Sequence, residues 1–296
     1  MTAPFTGLLA YPITPLHDDG TPDLDGLGAL VEAAADAGVD GVVVLATSGA
    51  GVSFDAAERD AVVRAAVGAA GGRVPVHAGI SAGSAHHVVR HAEGVQAAGA
   101  SGLVLAPFAY LPLDDASVVA LFARVAAVAP DLPVCFYNKP VQLGYDVPPP
   151  VLARLAAETT VVAVKDPAAL PSRPGGRVAA LRHAADVTIG LSGDVAMLDG
   201  AEAADAWHSG IAALAPAEYV AVRRARQAAT PEAAVARERA WLVEVARTVA
   251  ATGQPLSALH ALAALLGTPT APPRDALVPL TDAAVAALAD VARRRP

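Results

Sequence analysis

Lys165 closes the apolar run 161–164 (VVAV), and it is one of only two lysines in a chain with 21 basic residues; the other is Lys139. An ammonium carried at the end of a buried strand loses hydration, which lowers its pKa and raises the free-amine fraction near neutral pH. A free amine in an enclosed site is the nucleophile that forms a Schiff base with a ketone. The opposing reading is a lysine that snorkels from a rim or pairs with Asp166 beside it. Lysine scarcity favours the chemical reading. Tyr137 closes a second apolar run, 133–136, and a phenol near an amine can relay the proton that carbinolamine formation and dehydration require. The same tyrosine would also serve as a strand-end cap with no chemical role. Thr47 and Ser48 precede Gly49, and hydroxyls beside consecutive backbone N–H groups form a turn able to hold a carboxylate. Ordinary turn chemistry explains the same three residues.

Other residues carry weaker signals. The stretch GLSGD (190–194) has the composition of a phosphate-holding turn, but a glycine-rich strand-to-helix turn looks identical. His87 and His91 stand at i, i+4 beside His86, a spacing that can bind zinc, although the segment reads as the polar face of an outer helix. Lys139 falls in a loop, within reach of a substrate carboxylate or simply in solvent. Cys135 lies inside an apolar run and reads as a small core residue. Asp166 and Asp194 read as loop caps rather than acid–base groups.

These residues need a scaffold that brings strand ends together. Short β-branched runs alternate with longer Ala-rich segments: 7–13, 41–45, 75–79, 101–105, 133–137, 161–165, 187–191 and a weaker 206–209 read as strands. Continuous apolar strands are buried on both faces, the pattern of a parallel sheet. The spacing predicts helices over 24–37, 55–70, 84–98, 115–128 and 148–157, with Asp23, Asp55, Ser84 and Asp114 as N-caps. Glycines follow helix ends at DAG (36–38) and AAG (97–99). Eight strand–helix alternations predict an α/β fold, a closed (β/α)8 barrel, with an open doubly wound sheet as its rival. Beyond residue 216 the chain reads as helical over 217–228, 232–251, 256–266 and 282–293. We therefore expect a barrel over 1–228 and a C-terminal helical extension over 229–296 packed on it.

Composition narrows the partners. With 29 acidic residues the formal charge is −8, and the isoelectric point is about 5.4. An acidic surface attracts neither nucleic acid nor an anionic membrane. Apolar residues make up 54% of the chain and aromatics 4%, so a large core must be aliphatic. One cysteine excludes an intramolecular disulfide framework. No apolar run reaches the roughly 18 residues that span a bilayer, and the N-terminus lacks a basic stretch followed by an apolar one. A cytoplasmic protein is the expectation.

Five segments in order resemble the dihydrodipicolinate synthase / N-acetylneuraminate lyase family of Schiff-base (β/α)8 enzymes. They are GLLAYPITPLHDDGTPD (7–23), AGVDGVVVLATSGAGVSFDAAER (37–59), FYNKP (136–140), VVAVKDPA (161–168), and SGD (192–194) with ADAWHSGIAALAP (204–216). The resemblance implies that Lys165 forms the Schiff base and that Tyr137 relays protons, with Thr47 hydrogen-bonding that tyrosine. It implies that Thr47 and Ser48 cradle the keto-acid carboxylate. It places His208 at the eighth-strand position lining the pocket, where the family generally has an aliphatic residue. The implied substrates are pyruvate or a longer 2-keto acid and an aldehyde, with no metal or organic cofactor. The implied assembly is a homotetramer, a dimer of dimers.

This chain departs from the family pattern at several positions. Ala46 and Ala50 stand where the family's GTTGE loop has its first glycine and its glutamate. Gln142 replaces the arginine that holds the distal carboxylate of aspartate semialdehyde, and a neutral amide cannot form that bidentate pair. Tyr110 is shifted by one from the tyrosine that a neighbouring subunit lends. The expectation is a 2-keto acid aldolase or lyase with an unassigned aldehyde partner. Two other outcomes remain open at the level of sequence: the synthase reaction of pyruvate with aspartate semialdehyde, and an inactive barrel acting as a binding or scaffold protein.

Overall fold

In the computed structural model, which describes residues 3–170, 177–200, 203–228, 232–274 and 278–296, eight parallel strands close into a barrel. The strands are β1 (Gly7–Ala10), β2 (Gly41–Val44), β3 (Val76–Gly79), β4 (Gly102–Leu105), β5 (Val134–Tyr137), β6 (Val161–Pro167), β7 (Thr188–Ser192) and β8 (Ala206–Ser209). Closure comes from β1 pairing with β8, with Leu9 opposite His208 and Ala10 opposite Ser209. That pairing excludes the open sheet. β1 ends earlier than the apolar run 7–13 suggests, because Pro12 has no N–H to continue a ladder; the Tyr11 N–H makes the last bond, to the Ser209 carbonyl.

Residue alternation along each strand sorts the core into two layers. Leu8, Val42, Val44, Leu103, Phe136 and Val164 face outward and join one large aliphatic core with the surrounding helices. Leu9, Tyr11, Val43, Val104, Cys135 and Ala163 point inward and fill the barrel. On β6 the register shifts between Val134 and Cys135, so Val161 pairs with Val134 but Ala163 with Cys135. This bulge leaves Val162 as the extra residue and sets the facing of everything after it. Lys165 therefore points into the barrel and Asp166 out of it.

All four expected N-caps are present: Asp23, Asp55, Ser84 and Asp114 each accept a backbone N–H from the first helical turn. The helices Leu24–Ala37 and Asp115–Val128 begin and end where the periodicity places them. Three short helices, Pro140–Leu143, Val178–Ala184 and Asp194–Leu198, have no counterpart in the sequence reading, since fewer than two full turns give no periodic window. The C-terminal helices Ala236–Ala251, Pro255–Leu265 and Asp282–Arg293 contribute Leu242, Leu262 and Leu288 to the same core that surrounds the barrel. The expected boundary between 228 and 229 falls where residues 229–231, outside the described ones, begin. Among the described residues, no helix is long and apolar enough to cross a membrane.

Candidate active site

Lys165 sits at the carboxyl-end mouth of the barrel, buried, with its Nζ 3.8 Å from the ring centre of Tyr11 and 3.9 Å from that of Tyr137. Two aromatic faces therefore flank the amine. Tyr137 is there because it pairs with Lys165 across the β5–β6 ladder; Tyr11 is there because it follows β1, the strand that closes the ring. Aromatic faces favour an ammonium, yet burial outweighs them and lowers the Lys165 pKa to about 7, against smaller opposing contributions from Cys135 and Asp194. Roughly half of the amine is then free at neutral pH, compared with about one part in several thousand for an ordinary lysine.

The neighbouring carboxylate does not neutralise it. Asp166 faces the outer layer, where it accepts from Asn138 Nδ2 at 2.7 Å and pairs with Arg177 at 2.9 Å. Arg177 also donates to the Val147 carbonyl and pairs with Asp146. Asn138 in turn accepts from the Val147 N–H, so this outer network fixes the loop after β5 against β6. Neither a snorkelling lysine nor a Lys165–Asp166 pair describes the geometry: among the described residues, no carboxylate lies within ion-pair distance of Lys165 Nζ.

A pH dependence follows from the lowered pKa. An amine attacks a ketone only in its free form, and that fraction at Lys165 falls as pH drops through 7. The rate of imine formation is expected to be nearly constant above pH 8 and to fall about tenfold per unit below pH 7. A pre-steady-state rate profile between pH 5 and 9 checks this; an inflection near the ordinary lysine value of 10 would contradict it.

A cavity of about 630 Å³ opens over the amine and is lined by Thr47, Ser48, Tyr137, Lys139, Gln142, Lys165 and His208, among others. The backbone N–H groups of Thr47 and Ser48 donate to no acceptor among the described residues. The turn that carries them is tightly held. Thr14 donates to the Gly49 carbonyl at 2.9 Å, and a Cβ at Gly51 would collide with the Leu45 carbonyl. Leu45 and Ala50 adopt positive φ of 56° and 48°, each costing roughly 1–2 kcal/mol for a residue with a Cβ. From behind, buried Arg59 donates to the carbonyls of Gly51 and Gly79. The loop whose glutamate is replaced by Ala50 is thus supported by a guanidinium on backbone carbonyls.

The structure also shows residues that the sequence reading undervalued. Lys139 is not a solvent-facing loop residue: it is half-buried and donates to Thr47 Oγ1 at 2.9 Å, with its Nζ 5.4 Å from the Tyr137 ring centre. Burial lowers its pKa, and the Lys165 charge lowers it further, while Tyr137 opposes. Thr47 is accordingly engaged by Lys139 rather than by Tyr137. In the sequence Tyr11 is only part of the apolar run 7–13, although an aromatic there, in a chain with 4% aromatics, is a usable signal. Its hydroxyl shares a 2.7 Å hydrogen bond with His208 Nδ1. Burial holds the Tyr11 phenol protonated, and burial beside Lys165 keeps His208 neutral. His208 fits because Gly190, opposite Lys165 on β7, has no Cβ to collide with the imidazole.

One expected site residue stands apart, and one turn joins the site in a different role. Tyr110 is 94% exposed and does not line the cavity. The turn 190–194 lines the cavity through Ser192, Gly193 and Asp194. Asp194 places a carboxylate on that wall, accepting from Ser209 and Tyr219, and this disfavours a phosphate there. Burial raises the Asp194 pKa against those two donors, so Asp194 is more than a loop cap.

Comparison with known proteins shows the family and the fold. The sequence profile of the Dihydrodipicolinate synthetase family matches residues 4–294. The chain belongs to this family. A 4-hydroxy-tetrahydrodipicolinate synthase from Synechococcus is 31% identical over 302 residues, covering 99% of this chain and 96% of that one. Against several other curated relatives the matched stretch spans about half of the relative's length, 53% in one and 52% in another. Among solved structures, dihydrodipicolinate synthase from Agrobacterium tumefaciens superposes with a TM-score of 0.89 at 31% identity, covering 99% of this chain and 98% of that one. YagE, an Escherichia coli prophage protein of the dihydrodipicolinic acid synthase family, solved with pyruvate, gives 0.84 at 25% identity with 99% coverage of both chains.

Proposed function

We propose that this family member is a Schiff-base lyase or aldolase acting on pyruvate or a longer 2-keto acid through Lys165. The observation that carries the reading is the buried, carboxylate-free Lys165 amine between Tyr11 and Tyr137 at the base of a cavity. The lone pair of the neutral amine forms a bond to C2 of the keto acid, and the carbonyl oxygen takes up protons and leaves as water. Tyr137 moves those protons. The iminium then withdraws electrons from C3, which either loses a proton or breaks its bond to an aldehyde carbon. The Thr47 and Ser48 N–H groups hold the substrate carboxylate, and Lys139 adds a positive charge beside them.

The test needs no knowledge of the aldehyde. In deuterated buffer, an iminium that loses a C3 proton exchanges the methyl hydrogens of pyruvate, which proton NMR follows directly. We expect exchange well above the buffer rate; exchange at the buffer rate would remove the proposal. Lys139→Met is expected to raise the KM for pyruvate about 10-fold or more with a smaller change in kcat, because a charge-assisted contact to a carboxylate is lost. Steady-state kinetics checks the split, and an unchanged KM would release Lys139 from this role.

An assembly of paired chains is part of the same proposal. Tyr110 and Leu111, 94% and 70% exposed beside the barrel mouth, are the apolar groups such an interface would cover. A homotetramer acting on small molecules in the cytoplasm is the form we propose.

A further inference from the structure

Beside the Lys165 cavity lies a second lobe of about 280 Å³, continuous with it through the shared residues Thr47, Tyr137, Lys139 and Gln142. Its walls are Ala46, Ala50, Val104, Ala106, Phe108 and Leu143. Among the described residues no acidic one lines it, and apart from the Thr47 N–H, which faces the keto-acid end, several of its polar groups are already engaged. The carbonyls of Gly51 and Gly79 accept from Arg59, which approaches from behind and presents no charge to the lobe. Ser81 Oγ accepts the Ala106 N–H at 3.0 Å. Among the described residues, Lys139 is the single cation of the lining, and it is held by Thr47 at the neck, beside the Tyr137 ring that also contacts Lys165. Its charge belongs to the keto-acid end. Gln142, also at the neck, is neutral.

We propose that this lobe seats the substituent of the second substrate, and that the substrate is an aldehyde with an apolar aliphatic or aromatic group rather than one bearing a second carboxylate. An aldehyde carbon near C3 of the Lys165-bound keto acid projects its substituent into the lobe. There an apolar group loses only hydration, whereas a carboxylate loses hydration and, among the described residues, meets no cation of its own. Ala46 and Ala50 give the lobe its width: a longer side chain at either position would enter the space. The inference rests on the Schiff-base reading above and adds the chemical class of the partner to it.

The experiment uses the full chain with saturating pyruvate and compares benzaldehyde and 2-methylpropanal with succinic semialdehyde. The expected result is a kcat/KM at least tenfold higher for one or both apolar aldehydes. Equal or higher efficiency with succinic semialdehyde overturns the proposal, as does failure of every aldehyde to accelerate pyruvate loss while methyl exchange proceeds. If methyl exchange is itself absent, the Schiff-base reading has failed, and a saturation-transfer NMR measurement judges the lobe separately. Benzyl alcohol is expected to receive magnetisation from the protein and 4-hydroxybutyrate is not; the reverse overturns the assignment of the lobe.

Discussion

Replacing Lys165 by alanine is expected to remove at least about 10³-fold of kcat, with any residue of activity independent of imine chemistry. The magnitude follows from the position. No second amine takes its place, because Lys139, the remaining lysine, is hydrogen-bonded to Thr47 at the neck of the cavity. The fold is expected to survive. A buried amine that is half neutral at pH 7 costs folding free energy, so its loss leaves the melting temperature unchanged or higher. Lys165→Arg gives a control of similar length that retains a cation between the two rings but cannot deprotonate. It is expected to be as inactive as the alanine variant. Near-wild-type turnover in either variant, measured as pyruvate methyl exchange, would contradict the assignment.

Tyr137→Phe is expected to have the second-largest effect, a loss of about 10²–10⁴-fold in kcat. The phenyl ring keeps the aromatic face 3.9 Å from Lys165 Nζ, and only the hydroxyl is lost. A purely structural Tyr137 would therefore leave rate and profile nearly intact. A proton-relaying Tyr137 slows carbinolamine dehydration, so the variant should bind pyruvate with little change in KM while imine formation becomes the slow step. Stopped-flow measurement of imine formation separates the two cases. A variant with less than a threefold change would move proton transfer to another group, with Tyr11 beside the amine and Asp194 and His208 on the cavity wall as the candidates.

Much of this site was legible in the sequence for a physical reason: strand ends of a parallel barrel converge, so a lysine closing VVAV and a tyrosine closing PVCF must meet at one mouth. The N-caps at Asp23, Asp55, Ser84 and Asp114 were legible because they are local interactions over three residues. What stayed hidden depends on direction rather than order. The bulge at Val162 decides that Lys165 points inward and Asp166 outward. A lysine–aspartate pair therefore looked plausible until the outer Arg177 appeared opposite Asp166. Lys139 looked like a solvent-facing loop residue because nothing local says that its loop folds back over Thr47. The Tyr11–His208 contact joins residues 197 apart in sequence, across the seam where the barrel closes.

Trapping the imine tests the central claim most directly. The protein is incubated with pyruvate and reduced with borohydride, then weighed intact and mapped by peptide mass spectrometry. The account predicts one reduced pyruvyl group per chain, carried on Lys165, appearing with wild-type protein and absent from Lys165→Ala. No adduct, an adduct mapped to Lys139 or the N-terminus, or one that survives Lys165→Ala would contradict it.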